Sequence, residues 1–525
     1  MSARFSKDRA RLILQDIEDQ FQLDDDALKT ITKQFLDDFE LGLGKYGQAM
    51  AMIPTFVTGV PDGTETGTFL ALDLGGTNLR VCEVHLHGNH QFELRQQKYK
   101  VSDALKTGEV TALFDYLADS VDAFLTDSGH DFSELDNPFE GPPEIHLGLT
   151  FSFPVEQTAL DSGTLLTWTK GFAAKNAIGK DVVRLLQDAF DRKHLHVRCV
   201  ALVNDTVGAL LSRSYTAGSC LLGAIFGTGT NGAYLEDVAK ITKLKNSPSA
   251  AKGGKMVVNT EWGAFNNSRT TLPTTAFDNK LDRESINPRF QAYEKFISGM
   301  YLGEITRNIL LSLVDAAPKP LLFGGKSTKQ LNTHYGFDTA VMSAVEEAWE
   351  GLKVVKPEPM PSPSAAIWDF DEAKLDEPTK ERLRTIQQVI VEQVGFAPED
   401  VSLQDAAIVR WACSLVAQRA AKLSGCAVAT VLAQTGYAKL GGSDSHDGPD
   451  KIGVGVDGSL IQHYPNFEAG LRHSLRTLVG ETIEKKVEIG MAKDGSGVGA
   501  ALCALQAAKE LARSGTDAAG VVNSK

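Results

Sequence analysis

Cysteine is scarce: the 525-residue chain holds six (Cys82, Cys199, Cys220, Cys413, Cys426 and Cys503), with no close pair among them. That argues against a disulfide framework or a cysteine-rich zinc site and fits reduced, buried thiols. Positive charge is also in deficit, with 53 Lys and Arg against 67 Asp and Glu and a net charge of -14. Nonspecific attraction to nucleic acid or anionic lipid is therefore disfavoured, and a small-molecule substrate is the simpler expectation. No apolar run approaches the length of a bilayer span. The early basic residues of Met1 to Arg9 lack an apolar core behind them, so no secretory signal is read and a cytoplasmic protein is expected. The composition, 42% hydrophobic and 23% charged, is that of a globular protein, and the length predicts two domains.

Two glycine- and threonine-rich turns stand out, Asp73-Leu-Gly75-Gly76-Thr77-Asn78 and Gly227-Thr228-Gly229-Thr230-Asn231. Each follows a strand-like apolar run. Glycine permits the backbone angles of such turns and lets a phosphate approach the chain, while amides and hydroxyls donate to its oxygens. Strands over 69–73 and 80–86 make the first turn a hairpin, and 221–226 with 232–235 repeat the plan, so an internal duplication is expected. Between the turns, Leu202-Val203-Asn204-Asp205-Thr206 ends an apolar run in a lone carboxylate. Asp205 is the candidate base of a phosphoryl transfer, where one carboxylate accepts the proton of the attacking hydroxyl. An Asp at that place also serves as a turn former or helix cap.

Residues 6–44 read as helical with Leu28, Ile31, Phe35 and Phe39 on one face, and Asp24 to Asp26 suit a helix N-terminus. A helix is also expected over 497–513. Lys356 to Ser364 and Gly441 to Asp450 read as exposed loops. Several patterns are discounted. Gly227 to Gly232 and Gly453 to Gly458 match the spacing of a dinucleotide fingerprint, yet the first runs into a strand and then into Lys240, Lys243 and Lys245. Gly324-Gly-Lys-Ser327 lacks the first glycine of a phosphate loop. His85, His87 and His90 lack partners for a metal, and the sequon at Asn266 reads as chance.

With Leu70 to Arg80, Asn204-Asp205 and Gly227 to Asn231 in place, the chain resembles the eukaryotic hexokinase family, with a fungal-type glucokinase wording around Trp262 and 452–464. Leu147 to Pro154, Trp168 to Phe172, Asn259 to Gly263, Gln291 to Lys295 and Val456 to Ser459 match it as well, in order and spacing over about residues 20–512. The resemblance implies an α/β, actin-like ATPase fold of two lobes around a cleft, with 69–205 plus 492–525 in the smaller lobe and 1–68 plus 206–491 in the larger. It implies a sugar pocket of Ser152, Thr169, Lys170, Asn204, Asp205, Asn231, Asn259, Glu261 and Glu294. It implies ATP held by Asp73, Gly75, Gly76, Thr77, Asn78, Arg80, Gly227, Thr228, Gly229, Thr230, Thr339, Ser343, Gly458 and Ser459, with Mg2+ on Asp73 through water. Asp205 and Lys170 would be catalytic.

The implied reaction is phosphorylation of glucose, and of related hexoses, at the 6-hydroxyl, the first step of glycolysis, by a monomer or weak homodimer without a membrane anchor. The resemblance covers one catalytic unit. Val498 stands where a basic residue is common, a departure expected to alter nucleotide affinity. The alternatives are a sugar sensor with little turnover, against which Asp205 and Lys170 argue, and an ATPase of chaperone or cytoskeletal type, which would leave the sugar-facing residues without a task.

Overall fold

The protein is described here from a computed structural model, which covers residues 2–75, 78–128, 144–168, 172–245, 247–351, 367, 370–442 and 449–522. The helical stretch expected over 6–44 is two helices, Ser2–Phe21 and Asp25–Gly44. The break falls where Asp24 turns extended and its carboxylate accepts from the Ala27 amide at 2.8 Å. Asp25 and Asp26 then lie in the first turn, where acidic groups suit the helix dipole, and Leu28, Ile31, Phe35 and Phe39 are buried.

The strands are β1 (Ile53–Pro54), β2 (Thr66–Leu74), β3 (Asn78–His87), β4 (Phe92–Lys100), β5 (Ile145–Phe151), β6 (Val155–Ala159), β7 (Ser162–Leu165), β8 (Val197–Val203), β9 (Leu222–Phe226), β10 (Thr230–Asp237), β11 (Lys255–Asn259), β12 (Ile452–Asp457) and β13 (Val487–Met491). One sheet has the order β4-β3-β2-β5-β8, the other β1-β11-β10-β9-β12-β13. In the first, β4, β3 and β2 are mutually antiparallel and β2, β5 and β8 parallel. In the second, β11, β10 and β9 are antiparallel and β9, β12 and β13 parallel. Setting β1 aside, the two sheets share one plan, and in each a glycine turn joins the same two strands. The expected duplication is therefore present in the topology. Strands with neighbours on both sides, such as β9, are nearly continuous apolar runs, whereas the edge strand β4 carries Glu93, Arg95, Lys98 and Lys100, which blunt it against pairing with another chain.

Each sheet has its own apolar core, and a third cluster joins them. That cluster is built on the helices Asp205–Ala217 and Gly495–Val522. They cross at Gly208 and Gly499, where a β-carbon on either would run into the backbone of the other helix. Val498 lies fully buried in this cluster. Its side chain therefore points into the core and not at a nucleotide, which corrects the role read from the sequence.

The 32-residue helix Leu403–Gln434 corrects a second reading, because by length and composition it could cross a membrane. It is instead a core helix. Residues buried on every side of it remove the apolar stripe that a surface helix would show. All six cysteines are free and buried. Burial pushes Cys82, Cys220 and Cys426 up to about 12, so none of the three is a thiolate at neutral pH.

Candidate active site

The centre of the site is the joint between β8 and the helix Asp205–Ala217. Asn204 caps this helix, its Oδ1 accepting from the Thr206 amide at 3.0 Å and from the Thr206 hydroxyl at 2.5 Å. Asp205 follows, with Oδ1 accepting from the Thr206 amide at 2.9 Å. Its other oxygen, Oδ2, accepts from the Ser152 hydroxyl at 3.4 Å, just beyond the end of β5. The structural reading of this Asp is thus partly right. One oxygen helps to fix the helix start, and that anchor orients the second one into the cleft.

Around it stands a polar set from both halves of the chain. Asn231 on β10 donates from Nδ2 to Asn259 at 2.8 Å, to Glu261 at 3.3 Å and to Asn204 at 3.5 Å. Asn259, at the end of β11, donates to the same Glu261 oxygen at 2.8 Å. Glu261 sits in a left-handed conformation, φ 52° and ψ 43°, which turns its carboxylate back toward β10. Glu294, on the helix Ala292–Ile297, accepts from the Thr230 amide at 3.1 Å. Asn204, Asp205, Ser152, Asn231, Asn259, Glu261 and Glu294 are thereby brought together. Alternating donors and acceptors of this kind match vicinal hydroxyls and penalise any guest that lacks one. Thr169 and Lys170 lie outside the described residues, as do Gly76 and Thr77 of the first turn.

That first turn closes through the Gly75 amide, which donates to the Asn78 carbonyl at 3.1 Å. Asp73 on β2 faces Arg80 on β3 across the hairpin, with 3.6 Å between carboxylate and guanidinium. Both line a cavity of about 750 Å³ together with Asp457, Asp494 and Ser496. In the second turn the carbonyls of Gly227 and Thr228 accept from the Gly299 and Met300 amides at 2.7 and 3.2 Å. This ties the turn to the helix Gly299–Val314. Gly458 passes so close, at φ 115°, that a β-carbon there would come within 2.5 Å of the Phe226 carbonyl group.

A second cavity, of about 640 Å³, brings together Thr228, Thr339, Ser343 and Ser459, all four of them residues expected at a nucleotide. Two of the expected phosphate and nucleotide ligands turn out to have prior duties. The Thr230 hydroxyl accepts from the buried Trp262 indole at 3.0 Å, and the Thr339 hydroxyl bonds the Gly299 carbonyl at 2.6 Å and the Gly303 amide at 2.9 Å. They act as struts of the turn and of the cavity wall.

Three residues of the larger cavity escaped the sequence reading of the site: Asp457, Asp494 and Ser496. Asp457 precedes Gly458 and Ser459 in a quoted motif and shares the larger cavity with Asp73. Burial pushes its carboxyl upward, with Asp205 and Asp494 adding to the shift and Arg80 opposing it. Asp494 and Ser496 sit where the helix Gly495–Val522 begins, and the Asp494 to Gly497 run was legible only as a glycine-rich start.

The discounted patterns stay discounted. His85 contacts Thr68, His87 faces Glu93, and His90 bonds the Tyr215 carbonyl. Phe323–Gly325 is a single helical turn beside a Lys326 to Asp400 pair, and Asn266 is buried within its own loop. Among the described residues the one set of potential metal ligands with atoms close enough together is Glu284, Glu304 and His334, but Arg307 already grips Glu304 at 2.5 and 2.7 Å. Of the two loops expected to be exposed, residues 352–366 and 443–448 lie outside the description.

Comparison with known proteins places this geometry. Two family models described as Hexokinase match residues 13–215 and residues 221–358 with 366–506. The chain is 41% identical to a glucokinase of Aspergillus niger over 504 residues, covering 91% of this chain and 94% of that protein. It is 38% identical to glucokinase-1 of Saccharomyces cerevisiae over 535 residues, covering 95% and 98% respectively. Among solved structures, a hexokinase from Schistosoma mansoni complexed with glucose superposes with a TM-score of 0.75 at 33% identity, covering 95% of this chain and 99% of that one.

Proposed function

This chain belongs to the hexokinase family and is an ATP-dependent hexose kinase, and we propose that Asp205 is the base that takes the proton from the 6-hydroxyl of glucose as the γ-phosphoryl group is transferred. One observation carries the assignment. Asp205 Oδ2 meets Ser152 in the cleft while Oδ1 is held by the Thr206 amide, so the carboxylate is oriented before any substrate arrives. The hexose lies against Asn204, Asn231, Asn259, Glu261 and Glu294, with Ser152, Thr169 and Lys170 completing the pocket. Lys170 also offsets charge on the transferring phosphoryl group.

The triphosphate lies along the turns at 75–78 and 227–229, and the nucleoside in the cavity of Thr228, Thr339, Ser343 and Ser459. Asp73 and Asp457 offer hard carboxylate oxygens to one cavity, a donor set that suits Mg2+ held through water. Mg2+ bound there supplies charge neutralisation for the phosphates.

The lobes that close on the sugar are assigned to 69–205 with 492–525, and to 1–68 with 206–491. The packing of the helix Gly495–Val522 against β2, β5 and β8 supports that division. Glucose is the preferred sugar, a reading supported by the glucokinases among the relatives. The buried free thiols support a reducing, cytoplasmic setting at the entry to glycolysis, in which a monomer or weak homodimer acts.

The test measures ADP release with MgATP and glucose, fructose, mannose or no sugar, for the wild type and for Asp205→Ala. Glucose-dependent turnover is expected, with a loss of about 10²- to 10⁴-fold in kcat in the variant and glucose binding retained. Turnover preserved in Asp205→Ala sinks the base assignment, and equal kcat/KM for fructose and glucose sinks the glucose preference.

A further inference from the structure

Behind the sugar network lies a lysine to which neither the sequence motifs nor the phosphoryl transfer gives a role. Lys243, in the short turn Thr242–Leu244, donates from Nζ to the carbonyls of Gly42 at 2.7 Å, Ala51 at 2.8 Å and Met52 at 2.7 Å. An ammonium has three donors, and all three are engaged here. Gly42 lies in the last turn of the helix Asp25–Gly44, where carbonyls lack helical partners and the dipole favours a cation.

The other two carbonyls belong to the segment that backs the site. Met52, held at φ 43°, donates its amide to the Thr260 carbonyl at 3.2 Å, and the next residue, Ile53, pairs with Asn259. Thr260 in turn donates from its hydroxyl to the Gly232 carbonyl at 2.7 Å and toward Asn231 Oδ1 at 3.4 Å. The Ala51 and Met52 carbonyls gathered by Lys243 thus lead straight into β1, which lies beside the β11 strand ending at Asn259 and two strands from Asn231 on β10.

We propose that Lys243 is a positioning residue for the sugar site: its ammonium clamps the end of the Asp25–Gly44 helix to residues 51–52, and that clamp holds Asn259 and Glu261 in register for the hexose. The inference rests on the assignment of those side chains to the sugar. It has a pH signature. Burial pushes Lys243 down to about 8, with Glu156 on β6 opposing the shift. Glu156 and the Tyr46 ring, 5.0 Å from Nζ, are the titratable groups that face it, and the remaining neighbours present carbonyls. A neutral amine keeps two donors and gains a lone pair, so one of three buried carbonyls loses its partner. The sign for global stability is opposite. A lysine whose folded pKa is depressed burdens folding below about 8, and that burden fades as pH rises toward its ordinary 10.5. The loss above pH 8 is therefore local, in sugar affinity, and not a general unfolding.

The experiment is steady-state kinetics of the full chain from about pH 6.5 to 9.5, for the wild type, Lys243→Met, Lys243→Arg and Glu261→Gln, with sugar and nucleotide varied separately. Expected for the wild type is a glucose KM that rises roughly threefold or more above about pH 8 while the ATP KM moves less than twofold. Lys243→Met raises the glucose KM roughly tenfold at neutral pH and abolishes the step, and Lys243→Arg, which keeps the charge, recovers part of the affinity without the step. A wild-type glucose KM flat across the range, or a Lys243→Met effect equal on glucose and ATP, overturns the inference, and the wild-type profile decides even if Lys243→Met does not fold. Glu261→Gln separates the two readings. If it raises the glucose KM and Lys243→Met does not, only the role of Lys243 fails; if Glu261→Gln leaves the glucose KM unchanged, the sugar-site assignment falls and this inference with it.

Discussion

Asn231 donates through one Nδ2 to Asn259, Glu261 and Asn204, so Asn231→Ala strips a donor from three oxygens in a half-buried site. An unpaired polar group there costs about 1–3 kcal/mol. We expect glucose kcat/KM to fall roughly ten- to a hundredfold with the ATP KM within twofold, read by steady-state kinetics; an unchanged glucose kcat/KM removes Asn231 from the sugar site. At this scale the sequence was informative wherever function lives in a short run. Asp205 was legible because it ends an apolar strand between two glycine turns, and its neighbours because they fall in contiguous motifs. The prior duties of Thr230 and Thr339 were not legible, because their partners Trp262, Gly299 and Gly303 lie more than 30 residues away. Lys243 showed only as one of several basic residues after a turn, since nothing local says that its three acceptors come from residues 42, 51 and 52.

The turn after β9 depends on its contact with the residue after β12. Gly458 lies at φ 115°, and a β-carbon would press on the Phe226 carbonyl group and the Gly227 amide. Gly458→Ala should therefore carry strain of about 1–3 kcal/mol and tilt the turn at 227–229, to which we assign the phosphates. The expected outcome is an ATP KM roughly tenfold higher with the glucose KM little changed, a split that nucleotide titration checks directly. If both constants stay at wild-type values, the close approach has no bearing on nucleotide binding. Among the elements, the hairpins were legible because glycine marks their turns, and the helix Asp25–Gly44 because its apolar face has a period of 3.6 and an acidic cap. The helix Leu403–Gln434 was not, since burial on all sides leaves no periodic face to read. The end of the preceding helix at Phe21 was not legible, because the break introduces neither glycine nor proline.

The two sheets meet through the crossing of Asp205–Ala217 and Gly495–Val522, where Gly208 and Gly499 let the backbones touch. Gly499→Val forces those helices apart at a cost of about 1–3 kcal/mol or more. Chemical denaturation should register that loss together with reduced turnover; a stability within about 0.5 kcal/mol of wild type means that the crossing can relax. The two-lobed plan was foreseen from the resemblance, and the repeated turn hinted at the duplication. The strand order was not readable, because parallel neighbours such as β2 and β5 or β9 and β12 are joined by chain segments that carry no mark of their register.

That crossing also sets a timetable for biosynthesis. The first sheet is complete at Val203, but the helix that covers one of its faces begins at Gly495, some 290 residues later. A chain emerging from the ribosome therefore carries a finished sheet with an apolar face bare while strands β9 to β13 of the second sheet are being made. During that interval the face is open to solvent and to other chains, and it closes only when the Val498 to Leu505 stretch arrives.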